Sequence, residues 1–105
     1  MKLSEAIKAG AKQMPQCERL LFDIDKNPTK CCALGAAYLG IELSLMNGDK
    51  SWRLIKAFPE LQQLAICPEC GAKNKTLFGV IGEHLNDTHR WTRERIADWL
   101  EGQEQ

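Results

Sequence analysis

A chain of 105 residues, 44% hydrophobic and 27% charged, has the composition of an ordinary soluble globular domain, and it is too short for a catalytic domain plus a separate binding domain. Its 14 basic and 14 acidic residues cancel, and neither half is a basic arm: residues 1–65 carry 9 basic against 7 acidic side chains and the remainder 5 against 7, so no global field draws it to phosphate backbones or anionic lipid. The opening Met1-Lys2-Leu3-Ser4-Glu5-Ala6-Ile7-Lys8 lacks the apolar run of a signal peptide and no later stretch approaches a membrane span, which predicts a cytoplasmic protein without a membrane partner.

Leu3, Ala6, Ile7, Gly10 and Met14 recur at helical spacing, with Ser4 near the start and Pro15 at the end. Residues 4 to 14 are therefore predicted to form an amphipathic helix whose Lys8 and Lys12 make a solvated face. Residues 20–25 are short and apolar and run into the turn signal Lys26-Asn27-Pro28, as an extended segment would. Asp23, Asp25 and Asn27 have the look of a calcium loop, but Pro28 stands where that loop needs Gly and Leu34 where it needs Glu, so a calcium site is rejected. Thr29 is a candidate N-cap for a helix over residues 31–39. Its Ala33, Gly35, Ala36 and Ala37 would let another backbone approach closely, while Leu34, Tyr38 and Ile41 fill core space. Asn47-Gly48-Asp49 reads as a turn, after which Ser51 caps a helix carrying Trp52, Ile55 and Phe58 as far as Pro59; Leu61 and Leu64 would continue as a further turn.

Five cysteines are an odd number for a disulfide framework, and two of them form Cys67-Pro68-Glu69-Cys70. With His84 and His89 the spacing is Cys-x2-Cys-x13-His-x4-His, one residue longer in the middle than the usual two-Cys, two-His zinc finger. Zinc prefers thiolate and imidazole donors in a tetrahedron, so Cys67, Cys70, His84 and His89 are the expected ligands of a structural Zn2+ ion, with Gly71 supplying a positive φ at the tight turn. Asp87 or Cys17 could stand in for a histidine. Leu77, Val80, Ile81 and Leu85 place His84 near the end of a helix. At about 100° per residue, side chains five apart point roughly 140° apart on an α-helix, so both histidines reach one ion only if the helix stops between them, for which Asn86-Asp87 is the candidate. Cys17, Cys31 and Cys32 are left as free thiols, expected to be small buried hydrophobes.

Two enzymatic readings of the same segment are weaker. A Cys-Pro-x-Cys redox dithiol needs a βαβ context that is not legible upstream, and Glu83-His84 offers neither a His-Glu-x-x-His nor a His-x-Glu arrangement for a catalytic zinc. Downstream, Thr92 is an N-cap with Glu94 in the first turn and Trp91 and Ile96 at staple positions; Ile96, Trp99 and Leu100 form its apolar face. Residues 77–101 should thus form a helix–turn–helix-like hairpin. Its last helix is net negative, because Arg93 and Arg95 are offset by Glu94, Asp98 and Glu101, which argues against a DNA-reading role.

The run His84-Leu85-Asn86-Asp87-Thr88-His89-Arg90-Trp91-Thr92-Arg93-Glu94-Arg95-Ile96-Ala97-Asp98-Trp99-Leu100 resembles the C-terminal signature of a family of small bacterial and phage proteins. Leu3-Ser4-Glu5-Ala6-Ile7 and Cys32-Ala33-Leu34-Gly35-Ala36-Ala37 are similar to the same family, to which no activity is assigned, so the resemblance implies no catalytic residues. The sequence as a whole predicts a mainly α, single domain. Residues 1–66 are its helical part and 67–105 carry a zinc-knuckle turn, with room for a short β-hairpin, and the C-terminal helix pair. The expected function is non-catalytic: a zinc-stabilised interaction module whose macromolecular partner is a protein. A nucleic-acid-binding regulator is the alternative, and a small thiol-redox or hydrolytic enzyme the remote one.

Overall fold

The computed structural model describes residues 1–24, 27–45 and 48–104. It is mainly α. In chain order it has α1 (Leu3–Ala11), α2 (Ala33–Gly40), α3 (Lys50–Ala57), a 3-10 turn (Pro59–Gln62), strands β1 (Leu64–Ala65) and β2 (Lys75–Thr76), one α turn α4 (Leu77–Gly79) running into a π-helix (Val80–Thr88), and α5 (Arg93–Gln103). No helix among the described residues is long and apolar enough to cross a membrane.

The α1 periodicity is as the sequence predicts, with Leu3, Ala6, Ile7 and Gly10 buried, but both ends differ. The N-cap is Lys2, whose N–H donates to Glu5 Oε1 at 2.8 Å. Ser4 lies inside the first turn, where its N–H and hydroxyl both donate to the Glu104 carboxylate. The helix ends at Ala11, well before Pro15, in a turn closed by Gln13 N–H to Gly10 O at 3.0 Å. Lys8 is not simply solvated either: its ammonium stands 3.0 Å from Asp98 and 2.9 Å from Glu101 on α5.

The small residues of α2 do what their size allows. A Cβ built on Gly10 would lie 1.7 Å from Ala36 O, and one on Gly40 would lie 2.0 Å from Ala6 O, so α1 and α2 meet backbone to backbone at two points along the crossing. Only glycine fits there. The α2 cap is Cys32, whose sulfur accepts Gly35 N–H at 3.5 Å. Thr29 is drawn away instead, donating its N–H and hydroxyl to Asp23, which also accepts Lys30 N–H at 2.8 Å. The expected extended segment reduces to a single antiparallel bridge of Phe22 to Cys31, with Phe22 buried edge-on to Tyr38 and Leu20 and Ile24 exposed. Asp25 and Lys26, on which the calcium and turn readings partly rest, lie outside the described residues.

Asp49, not Ser51, caps α3 by accepting Trp52 N–H at 3.1 Å; Asn47 of the predicted turn lies outside the described residues. The buried face of α3 is Leu54 with Phe58, whereas Trp52 is 53% exposed, because the helix rotates its Leu54 stripe rather than its indole towards the core. Leu61 is buried in the 3-10 turn, and Leu64 has left helical structure for β1, where it is exposed. At the C-terminus the sequence reading holds: Thr92 Oγ1 accepts Arg95 N–H at 3.1 Å, and Trp91 and Ile96 are both buried in the core that also holds Leu34, Tyr38, Ile81 and Leu85.

Candidate metal centre

The short hairpin foreseen around the cysteines is present. β1 and β2 pair antiparallel, Leu64 opposite Thr76 and Ala65 opposite Lys75, and the chain between them folds into the knuckle. Gly71 N–H donates to Cys67 O at 2.9 Å and Cys67 N–H to Ala72 O at 3.1 Å, while Gly71 adopts φ +74°, the left-handed conformation its position was expected to need. Cys67 points inward and is buried; Cys70 is exposed. The pair therefore sits on a hairpin tip, not at the helix N-terminus of a redox-dithiol fold.

Thr76 caps the helix that follows, its hydroxyl accepting Gly79 N–H at 3.1 Å. After one α turn the backbone widens into nine residues of π-helix. Asn86 and Asp87 do not stop it; it runs to Thr88, and His89 N–H closes onto His84 O at 2.8 Å, a bond five residues long. Bonds of that span enlarge each turn, so side chains five apart, which diverge on an α-helix, stand over one another. Both histidines consequently face the knuckle without any break in the helix. The same period explains the inward face, where Val80 and Ile81 are buried together with Leu85 and Asn86, each five residues on.

Cys67, Cys70, His84 and His89 each place one donor atom within 4.8 Å of the other three, an arrangement that could hold a metal ion. Cys70 Sγ lies 3.7 Å from His84 Nδ1. A thiolate and an imidazole sharing one tetrahedral zinc would be about 3.5 Å apart, given bonds of roughly 2.3 and 2.0 Å. The imidazole centroids of His84 and His89 are 6.0 Å apart and tilted by 49°, as two rings aimed at a common point from one side would be. His89 Nε2 is buried and finds no hydrogen-bond partner among the described residues. A buried ring nitrogen without a partner carries a desolvation penalty that a metal bond would remove. The donor set and the orphaned nitrogen both fit a metal ion. Cys17 and Asp87, the alternative ligands, are engaged elsewhere: Cys17 Sγ reaches Leu20 O at 3.5 Å, and Asp87 Oδ1 accepts Arg19 N–H and Asn86 Nδ2 at 2.9 Å each.

The reverse side of the π-helix holds a polar node that helical periodicity alone does not announce. Asn86 is fully buried; its Oδ1 accepts Gln16 Nε2 at 2.9 Å and Ala33 N–H at 3.1 Å, and its Nδ2 donates to Cys17 O at 2.9 Å. Gln16 extends the node by donating to Trp91 O and accepting Arg93 N–H. One side chain thus ties the π-helix to the first turn of α2 and to the strand-like segment after α1. The sequence signal that could have revealed it is the five-residue repeat of Val80/Leu85, Ile81/Asn86 and His84/His89.

Arg93, counted in the sequence among surface cations, is buried. Its guanidinium donates to Cys31 O at 3.4 Å, Cys31 Sγ at 3.3 Å and Ala11 O at 3.3 Å. Ala11 closes α1, so the cation sits where a helix C-terminus offers partial negative charge. Among the other thiols, burial pushes Cys31 up despite the opposing pull of Arg93, pushes Cys17 up, and pushes Cys32 up to about 12. Cys31 and Cys32 are the packed thiols the sequence predicts, whereas Cys17 is only half-buried; all three are protonated and weak nucleophiles. No protein-family model, curated protein or solved structure matches the chain.

Proposed function

We propose that the protein is a zinc-stabilised interaction module in which Cys67, Cys70, His84 and His89 hold one structural Zn2+ ion and the partner is another protein. The observation that carries the reading is the convergence of four donors from two separate elements, the hairpin tip and the π-helix, within 4.8 Å. Two sulfurs and two imidazole nitrogens suit zinc better than harder cations. Four protein ligands complete a tetrahedron and leave no position for substrate, which makes the ion a clamp rather than a Lewis acid. Exposed apolar side chains next to the knuckle support a binding role: Leu64 is 72% and Ile66 57% exposed, and both open onto a groove of about 760 Å3 bordered by Leu77, Trp99 and Leu100. Nucleic acid is the weaker reading because Arg93 is sequestered in the core, which leaves α5 with Arg95 against Glu94, Asp98 and Glu101.

Metal analysis of protein purified without added zinc tests the proposal. About one zinc per chain is expected, lost on Cys67→Ser or Cys70→Ser. Protein free of zinc, or variants that retain it, would end the reading.

A further inference from the structure

Two demands meet in the nine residues Val80–Thr88. On one face, His84 and His89 reach the knuckle cysteines only because the backbone is π-helical. On the other, Asn86 reaches Gln16, Cys17 and Ala33 in that same register. Long π-helices are rare, because the widened backbone is less favourable than the α-helix that the same residues could form, and they persist where their surroundings hold them. Reversion to α register would swing His89 roughly 140° from His84 and turn Asn86 relative to Ile81, so neither the donor cluster nor the node could keep its geometry. Each therefore supports the backbone form that the other requires, and two events that favour one conformation of one element are thermodynamically coupled.

We propose that the π-helix transmits metal occupancy at Cys67, Cys70, His84 and His89 to the Asn86 node, so that metal loss releases residues 16–19, uncovers the buried Cys31 thiol and frees the half-buried Cys17. The inference rests on the metal reading above. Among the described residues the released segment is held by few other bonds, one of them the ion pair of Glu18 with Arg90 at 3.9 Å. Gln16 is tied to the node and the start of α5, Cys17 N–H to Cys31 O at 3.1 Å, Cys17 O to Asn86, and Arg19 N–H to Asp87, itself part of the π-helix. Arg19 adopts φ +75°, a conformation that a non-glycine residue keeps only while its surroundings impose it. Cys31, fully buried, pairs with Gln16 and Phe22 through isolated bridges and is met by the Arg93 guanidinium, so loosening residues 16–19 removes one of its covers. Cys32 caps α2 and borders the same cleft as Arg19, so the amides of the second turn of α2, and not that thiol, are the internal reference for a local opening.

The test compares zinc-loaded with chelated protein and measures maleimide labelling of each cysteine by peptide mass mapping. Chelation should speed labelling of Cys17 and Cys31 by roughly 5- to 150-fold, the range of typical coupling between sites, while the amides of the second turn of α2 stay protected. The reciprocal measurement uses Asn86→Ala, with Gln16→Ala as a milder variant should the first fail to fold. Neither residue is a ligand, yet each should weaken zinc binding by a factor in the same range. Protein that takes up no zinc removes the premise along with the function proposed above. Zinc uptake with unchanged labelling of Cys17 and Cys31 and full zinc affinity in both variants overturns the transmission alone. Loss of protection in the second turn of α2 also overturns it, since the metal would then be supporting the whole fold.

Discussion

The layer of α1, α2 and α5 and the end formed by the knuckle and π-helix face are built on opposite principles. In the layer, backbone touches backbone at Gly10 and Gly40, and Leu3, Ile7, Leu34, Ile96 and Leu100 fill the space between, so stability comes from apolar burial and shape. At the knuckle, Cys67 is buried, but Cys70 and residues 73–76 are exposed, and two strands of two residues supply few ladder bonds. A hairpin that short is marginal by itself. On the metal reading proposed above, what shapes it is the demand of four donors for one point. The chain would then divide its labour: packing specifies the helices, and ligand geometry specifies a loop that packing could not hold.

The largest effect that would test this division is at Trp91, on the seam between the two regions. The indole is 7% exposed, its backbone N–H donates to Leu85 O at 2.8 Å, and Arg95 stacks on the ring at 3.8 Å. Trp91→Ala should destabilise the protein by about 3–5 kcal/mol through the cavity it leaves. Trp91→Phe should cost clearly less, because the indole N–H is buried without a hydrogen-bond partner among the described residues and its removal relieves an unsatisfied donor. Denaturant unfolding of the two variants decides the point. An unchanged midpoint for Trp91→Ala would mean that the ring is a contact surface and not part of the packed layer.

Next in size is the helix crossing. Gly10→Ala forces a methyl into Ala36 O and should cost about 1–3 kcal/mol or more, whereas Gly102→Ala, with none of the described residues within 4 Å of its Cβ position, should be neutral or stabilise α5 by about 0.5–1 kcal/mol. Because the crossing shares no partner with the donor cluster, the Gly10→Ala loss should agree between zinc-loaded and chelated protein to within about 0.5 kcal/mol. A loss that vanishes on chelation would show that α1 and α2 are assembled by the metal, and the division between the regions would fail.

The same division explains what could be read from the sequence. The four donors, Gly71 and the Thr92 cap were legible because each answers to a local rule: ligand type and spacing, positive φ, side chain to backbone bond. The small face of α2 was legible because close approach needs small residues wherever the neighbour lies. What escaped depends on groups distant in sequence. Arg93 is buried because Ala11 O and Cys31 O happen to meet it, and Asn86 because Gln16, Cys17 and Ala33 do. Thr29 lost its cap role to Asp23 for the same reason at shorter range. The π-helix was misread through an assumed α period, which made a stop at Asn86 seem necessary when a change of period achieved the same convergence.

The smallest expected effect marks where the packed region begins. Asp23 accepts Thr29 N–H and Lys30 N–H at 2.8 Å each, together with the Thr29 hydroxyl, and these bonds, the hydroxyl first, hold its carboxyl down at about 2. A carboxyl lowered in the folded state favours folding fully above its unfolded value, about 3.9, and that contribution fades as pH falls through about 2. The loop joining Asp23 to Lys30 should therefore loosen between about pH 4 and pH 2, seen as faster exchange of the Thr29 and Lys30 amides, and Asp23→Asn should flatten that dependence. Asp23 N–H also donates to Lys30 O, one residue before Cys31, where the proposed transmission from the metal ends. Carboxyl titration by NMR in zinc-loaded and chelated protein thus locates the boundary. An identical midpoint near 2 in both states confines the metal's influence to residues 16–19 and Cys31, and a midpoint that climbs towards the unfolded value on chelation would extend it across the loop and into the layer that packing alone was held to specify.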